Sequence, residues 1–425
     1  MRDRSSAAPA AWVTSLPMLS LAAMLPPIVL FSASIADGGH GLWNDFTSYW
    51  LAGRLVSAGE TPYNLDVLIA LGAAEGLVFE AGTGYSYPLP FAVAMVPLAA
   101  LPFTLAASIF SAVSLGAFGL AVASWLRDAR VWRAGPAATL ACALAAGLYT
   151  PVHGSLFFGQ ANLLVFAGLV LGVRLWLGGG RQRDVIGGMW IGLAGIVKVA
   201  PLVLALPMAL ARRVGGLQGL ALGAAGAMLV AWALAPSGPQ NMDRLVRLGE
   251  PDPYWTNQSI NGIASRLTMG NDRALAVLPW VDARVLGSVL LALFGLATLV
   301  ILVRSRRLLE PLVWVVLAIA LSLVAAVAGA PKNSFWNHVP ALIGAGLLVA
   351  PMAGGSALRP IERALLVAWY GLAMLQWWVD SLSIGLRAFG PVGAVLSSAA
   401  LLGVMALWAA IASRMLRRPT SSRPP

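Results

Sequence analysis

Residues 16–35 read LPMLSLAAMLPPIVLFSASI, an apolar run without one charged side chain. A helix rising about 1.5 Å per residue needs roughly 20 apolar residues to cross the hydrocarbon of a bilayer, so this run is long enough to span a membrane. Comparable runs recur along the chain as far as residues 392–411. Of the 425 residues, 59% are hydrophobic and 11% charged; a soluble domain carries about 25% charged residues. The chain therefore reads as an all-α polytopic membrane protein, a single integral membrane domain over residues 1–425. It is expected to hold about eleven or twelve transmembrane helices, with extracytoplasmic juxtamembrane helices between them.

The formal net charge of +11 would suit a nucleic-acid binder only if the basic side chains shared one soluble surface. They fall instead in short segments between apolar runs: Arg2 and Arg4; Arg127, Arg130 and Arg133; Arg181 and Arg183; Arg212 and Arg213; Arg304, Arg306 and Arg307; Arg359 and Arg363; Arg414, Arg417 and Arg418. Excess Lys and Arg marks cytoplasmic loops. That pattern puts both termini in the cytoplasm, argues against nucleic acid as a partner, and makes residues 36–104 and 236–282 long extracytoplasmic loops. An Arg-dominated basic set with much Ala, Gly and Leu fits a GC-rich bacterial genome, hence a bacterial inner membrane. The single cysteine, Cys142, lies in an apolar run, so no intrachain disulfide is expected. The basic start, the apolar run and Ser34-Ile35-Ala36 look like a secretory signal. With so many spans following, an uncleaved first helix is the expectation.

Between residues 87 and 126 the apolar stretch allows two crossings or one. Two would put Arg127, Arg130 and Arg133 outside. One crossing over 103–126 keeps them inside, and residues 88–102, punctuated by Pro88, Pro90, Pro97 and Pro102, become a helix along the outer surface. The first loop then holds three interfacial helices near 46–57, 66–79 and 88–101, with a turn at 59–63. Residues 185–211 lie between two arginine pairs, so both ends read as cytoplasmic. With Lys198-Val199-Ala200-Pro201 near the middle, they read as two shortened helices that turn back within the membrane, as is tolerated where such pieces are buried in protein. Further spans are expected over 136–150, 160–177, 216–236, 285–303, 310–328, 339–352, 364–383 and 391–412.

Asp45, in Trp43-Asn44-Asp45-Phe46-Thr47-Ser48-Tyr49, follows the first apolar run, with aromatics around it and no nearby cation in sequence except Arg54. A carboxylate at the lipid–water boundary is placed to act as a base. Ionisable groups within a membrane cost about 2.5–3.5 kcal/mol and mark functional positions by default. Lys198 is the clearest of them, since of 28 basic residues only Lys198 and Lys332 are lysines. An ammonium is a compact charge suited to a phosphate; an ion pair or snorkelling is the other reading of Lys198, and solvation the other reading of Lys332. His153 reads as a local hydrogen-bonding residue, whereas His338 sits among Asn333, Ser334, Trp336 and Asn337. No His or Cys pair has metal-ligand spacing, and no nucleotide-binding loop or nucleophile elbow occurs, so neither metal nor cofactor is expected. Gln160 and Asn162, and likewise Asn257, Gln258 and Asn261, either bond sugar hydroxyls or satisfy broken backbone. Their spacing does not choose. Arg266 faces either an anionic headgroup or solvent.

An ordered set of motifs covers most of the chain from Asp45 to His338. It comprises Asp45-Phe46 with Tyr49, Gly59-Glu60-Thr61-Pro62-Tyr63, Tyr87-Pro88-Leu89-Pro90, Pro97-Leu98, Leu101-Pro102, Gly159-Gln160-Ala161-Asn162, Gly192-Leu193 with Lys198 and Pro201, Asn257-Gln258-Ser259, and Ser334 through His338. This set resembles glycosyltransferase family 87, integral membrane enzymes of the C-type glycosyltransferase fold that include polyprenyl-phosphate-mannose-dependent mannosyltransferases. The resemblance implies metal-independent transfer of a sugar, mannose in the first instance, from a polyprenyl-phosphate donor to a lipid or glycan acceptor on the extracytoplasmic face, with inversion at the anomeric carbon. Donor, acceptor and membrane lipids would be the partners. Asp45 is then the general base, and His338 the second catalytic candidate. Lys198, Arg266 and Lys332, in that order, are the candidates for the donor phosphate, and Tyr49, Tyr87, Gln160, Asn162, Asn257 and Gln258 would meet sugar or acceptor. Many members carry two adjacent histidines after the tryptophan, where this chain reads Trp336-Asn337-His338-Val339; the single imidazole bears on the choice of sugar or acceptor. A reading from another class is a transporter or flippase of a lipid-linked sugar, since broken helices and a membrane lysine also mark transport sites. Asymmetric loops and the lack of a repeat weigh against it.

Overall fold

The computed structural model describes residues 14–37, 41–77, 84–240, 249–271, 275–354, 357–381 and 389–417. Arg2, Arg4 and Arg418, and the helix ends expected at 79 and 383, lie outside them. Among the described residues every regular element is helical, and one isolated β-bridge joins Asn257 to Ser334. The chain is thus an all-α polytopic membrane protein, and its described residues cluster into two compact units.

The first unit comprises residues 1–127, 134–202 and 214–248. It contains α1 (Leu16–Ala36), α2 (Asn44–Ser57), α3 (Leu65–Ala74), α4 (Leu89–Ala99), α5 (Phe103–Leu126), α6 (Pro136–Leu148), α7 (Thr150–Phe157), α8 (Asn162–Leu177) and α9 (Arg181–Val197). α11 (Val214–Leu234) completes the unit; between α9 and α11 the chain runs through a 3-10 turn, Ala200–Leu204, and α10 (Ala205–Leu210), which belongs to the second unit. The second unit, residues 128–133, 203–213 and 249–425, holds α10, α12 (Ile260–Met269), α13 (Ala283–Ser305), α14 (Pro311–Gly329), α15 (Ala341–Val349), α16 (Pro360–Ser381), α17 (Pro391–Leu396) and α18 (Ala399–Met415).

Five described helices, α1, α5, α11, α13 and α14, are long and apolar enough to cross a membrane, and α6 with α7, bent by 46°, would make a sixth. Among the described residues, the helices that are long and apolar enough without a break number fewer than the eleven or twelve spans expected, because several expected spans are interrupted. Pro151 sits in the first turn of α7, where proline is tolerated as it is not inside a continuous helix. The stretch 339–352 follows a 3-10 turn, Phe335–His338, and then holds the nine-residue α15; at 1.5 Å per residue that helix is only about 14 Å long. Residues 391–412 split at Ser397 and Ser398, and the carbonyl freed at Ser397 accepts Gln258 Nε2 at 2.6 Å. Internal bonds of this kind are what make broken helices tolerable inside a membrane protein.

Where the arginine count asked for one crossing between 87 and 126, α5 supplies it with 24 residues, and α4 has 11. Where Lys198 to Pro201 suggested a break, α9 ends at Val197 with Lys198 in extended backbone at its C-cap. One expectation of this region needs correction. The helix expected over 46–57 as amphipathic is instead covered on all sides along its first part, since Phe46 through Gly53 are buried without interruption. The helix α2 packs against α4, with Tyr63, Tyr85 and Phe91 in the same cluster.

The pair α9 and α11 is held by small residues. A methyl on Gly219 would land on the Val185 carbonyl oxygen, and one on Gly192 on that of Leu220. Backbones at this separation exclude any side chain, the usual device for helix association where the surroundings are as apolar as the helix. Gly219→Ala is expected to cost about 1–3 kcal/mol, as overpacking does. Gly226→Ala, on the same helix with open space around it, should be neutral or slightly stabilising because Ala favours helix over Gly. Thermal unfolding of both variants in detergent checks this, and equal midpoints would mean the contact is not tight.

In the second unit α14 is the most enclosed helix, with Trp314 through Val324 buried in succession. There α12 packs on α13, and α16 on α18. Near the end of α18, Arg359 and Arg417 close on the buried carboxylate of Glu362 at 3.0 and 2.6 Å.

Candidate active site

Asp45 lies in the first turn of α2, where the helix dipole favours a negative charge. The start of that helix is stitched to the end of α7. Trp43 N–H donates to the Phe157 carbonyl at 2.9 Å, and the N–H groups of Asp45 and Phe46 both donate to the Phe158 carbonyl, at 3.1 and 3.2 Å. Trp43 makes the approach possible by taking left-handed backbone, φ 58°. Gly159 follows at φ +69°, and a Cβ there would sit 2.6 Å from Cβ of Phe46. Only glycine serves both demands. The chain then delivers Gln160, whose N–H is fixed to the Ser155 carbonyl at 2.7 Å.

The buried Gln160 amide is the centre of the cluster. Its Nε2 donates to Asp45 Oδ2 at 2.5 Å. Its Oε1 accepts from the Tyr87 hydroxyl at 2.8 Å and from Lys198 Nζ at 3.0 Å, and the Tyr49 hydroxyl stands 3.0 Å away while donating to Tyr87 at 2.7 Å. The charges set the amide's direction, since the reverse would press NH₂ against an ammonium and a carbonyl against a carboxylate. Lys198 also stands 5.4 Å from the centre of the Tyr87 ring, within cation–π range. Burial first, and for Tyr49 the neighbouring Tyr87 and then Asp45, raises both phenols well above their ordinary range. They remain protonated donors at neutral pH. Tyr49, Tyr87 and Phe91 pack edge to face or tilted, with centroids 4.9–5.5 Å apart.

The motif at 59–63 supports the cluster from below. Tyr63 donates to the Tyr87 carbonyl at 2.9 Å, and the Thr61 hydroxyl donates to the Gln240 carbonyl at 2.7 Å with the Gly238 carbonyl 3.2 Å away. Nothing in the spacing of the motif tells that the Tyr63 hydroxyl ends at the backbone of residue 87. Nor is Arg54 the cation for Asp45. It pairs with Glu75 at 2.8 Å and lies over the Trp50 ring; the cation near Asp45 is Lys198. Asn162, two residues past Gln160, is turned to Ser155 Oγ at 2.9 Å. His153 meets Ser34 Oγ through Nε2 at 3.3 Å.

The remaining candidates belong to the second unit, where they knit backbone. Arg266 is fully buried and donates to the carbonyls of Tyr254 and Asn257 and to Ser398 Oγ, at 3.1, 2.8 and 2.7 Å. Burial pushes it down to about 10, opposed by Asp252, so it is a cation at neutral pH. Gln258 bridges the Trp255 and Ser397 carbonyls and the Leu401 N–H. Asn257 accepts from Ser259 and the Asn333 N–H. His338 Nε2 lies 3.2 Å from the Gln258 carbonyl, which can only accept, so that nitrogen carries the proton. Lys332 pairs with Asp252 at 2.8 Å and is half-exposed. Among the described residues no three His, Cys, Asp or Glu side chains gather as a metal ion would require.

Fold and cluster together define a multi-pass membrane protein with a carboxylate just past its first span, tied through an amide to a lysine. The chain matches the model of glycosyltransferase family 87 over residues 85–350, more than half its length; it belongs to that family and is a glycosyltransferase. No curated protein and no solved structure gives a match. Membership favours transfer over the transport reading. The matched stretch includes Tyr87, Gln160 and Lys198 but begins after Asp45 and Tyr49, so the hydrogen bond from Gln160 is what brings Asp45 to the family's own residues.

Proposed function

We propose that the protein moves a sugar, mannose in the first instance, from a polyprenyl-phosphate donor to a hydroxyl of a lipid or glycan acceptor, at the extracytoplasmic face of a bacterial inner membrane and with inversion at the anomeric carbon. The observation that carries this reading is a carboxylate and an ammonium held on the two ends of one buried amide in a chain that is a glycosyltransferase. In one displacement the acceptor oxygen bonds to the anomeric carbon while Asp45, within about 2.6–3.2 Å of the hydroxyl, takes its proton. The bond from that carbon to the phosphate oxygen breaks, its electron pair stays on the departing polyprenyl phosphate, and the Lys198 ammonium offsets the growing charge. The step needs no cofactor. Lys198 is preferred over Arg266 because the guanidinium of Arg266 is already committed to carbonyls and a hydroxyl.

The test is sugar transfer by purified protein from labelled polyprenyl-phosphate mannose, run beside glucosyl and arabinofuranosyl lipids and offered a panel of lipid and glycan acceptors. Product from the mannosyl donor is the expected result. Product from another donor alone would replace mannose, and none from any donor, with folded protein, would overturn the donor class.

A further inference from the structure

We infer that Gln160 is a positioning residue that fixes the Asp45 carboxylate and couples it to Lys198, and is not a ligand for the sugar. The inference rests on the proposed role of Asp45 as base. A carbonyl oxygen has two lone pairs, and Oε1 of Gln160 already accepts from two donors, the Tyr87 hydroxyl at 2.8 Å and Lys198 Nζ at 3.0 Å, with the Tyr49 hydroxyl crowding it at 3.0 Å. On the other end one of the two N–H donors of Nε2 is committed to Asp45. The residue is only 5% exposed, so a sugar hydroxyl would find neither a vacant acceptor nor an open approach.

The backbone explains why the hold is firm. Gln160 follows Gly159, whose missing Cβ lets the turn lie against Phe46. The N–H groups of residues 43, 45 and 46 are tied to the carbonyls of Phe157 and Phe158. Carboxylate and amide therefore sit on two segments joined by backbone hydrogen bonds, and the 2.5 Å bond between them selects one carboxylate rotamer. Lys198, at the break after α9, reaches the same amide. A phosphate that drew Lys198 would act on the hydrogen bonding of Oε1, and so on the group that holds the base. Donor arrival and base alignment are linked through this one side chain.

A positioning role and a ligand role separate in kinetics. Gln160→Met removes both polar ends at similar volume, and Gln160→Glu keeps an acceptor facing Lys198 while removing the N–H from Asp45. Both are expected to lower kcat by about 10–100-fold, the scale of a small misplacement, with the KM for donor and acceptor changed less than threefold. Measured in an Asp45→Asn background, Gln160→Met should cost nothing further, because there is no base left to position. A sugar ligand would instead raise KM with kcat retained at saturation, and would still cost its full factor in the double variant; either result overturns the inference. Thermal unfolding of each variant separates loss of fold from loss of position, and a Gln160→Glu protein with wild-type kcat would likewise end it. If Asp45→Asn alone retains full turnover, the base assignment has failed, a result distinct from a Gln160 variant that behaves as wild type beside an inactive Asp45→Asn.

Discussion

The Asp45→Asn protein is expected to fold, to bind donor lipid as the wild type does, and to lose sugar transfer by about 10²–10⁴-fold, the usual contribution of a general base. Asparagine keeps the shape of the side chain, and its carbonyl can still accept from Gln160 Nε2, now 2.5 Å from Asp45 Oδ2. The N–H bonds that tie Trp43, Asp45 and Phe46 to the end of α7 are backbone and survive. Loss of a negative charge from the first turn of α2 costs about 0.3–1 kcal/mol at most. The catalytic loss corresponds to roughly 2.7–5.4 kcal/mol, at 1.36 kcal/mol per tenfold. Chemistry should therefore fail long before structure does. Single-turnover transfer by the variant, with donor binding measured on the same preparation, decides the matter; turnover near the wild-type rate would remove Asp45 from the reaction.

What could be read in advance depended on how local the signal was. The break at Lys198 was legible because a lone lysine and Pro201 lie in an apolar run between two arginine pairs, and the single crossing at α5 because Arg127, Arg130 and Arg133 had to share a side with the other basic loops. Asp45 stood out for the same kind of reason. Its partner did not, since Gln160 is 115 residues further on and Lys198 another 38 beyond that, and hydropathy carries no information on which loops meet. Arg54, close in sequence, faces Glu75 instead because it lies in the last turn of α2 and Asp45 in the first. The short helices were misjudged for a related reason. Apolar composition alone shows neither the 3-10 turn before α15 nor the carbonyl that Gln258 satisfies at Ser397. The amides of 257 and 258 had two open readings, sugar or broken backbone; every bond the structure gives Gln258 is to backbone, and Asn257 bonds the Asp252 carbonyl, the Asn333 N–H and the Ser259 hydroxyl.

Lys198→Ala should weaken donor-lipid binding by roughly 10- to 150-fold, the worth of a hydrogen bond to a charged group at about 1.5–3 kcal/mol. Binding of polyprenyl phosphate, with or without the sugar, reads this directly and needs no turnover. The variant is expected to fold, because Gln160 Oε1 keeps two phenol hydroxyls within hydrogen-bond reach when the ammonium goes and no buried acceptor is orphaned. Arg266 offers the contrast. Its removal would strip donors from two carbonyls and a hydroxyl in a fully buried knot, and each buried group left unpaired costs about 1–3 kcal/mol; Arg266→Ala should thus lower stability severely. Lys332→Ala gives up one partly exposed ion pair with Asp252, worth about 0–1 kcal/mol, and should leave the fold intact. The three cations are therefore separable. A donor affinity that holds in Lys198→Ala and falls in Lys332→Ala would transfer the phosphate to Lys332. Lys198→Arg tests geometry as well as charge, because a planar guanidinium beside the Tyr87 ring, 5.4 Å from the present ammonium, cannot act as a compact point charge on both the amide and a phosphate. It should restore part of the donor affinity and little of the rate, which is the pattern expected if Lys198 acts on the departing phosphate and on Gln160 at once.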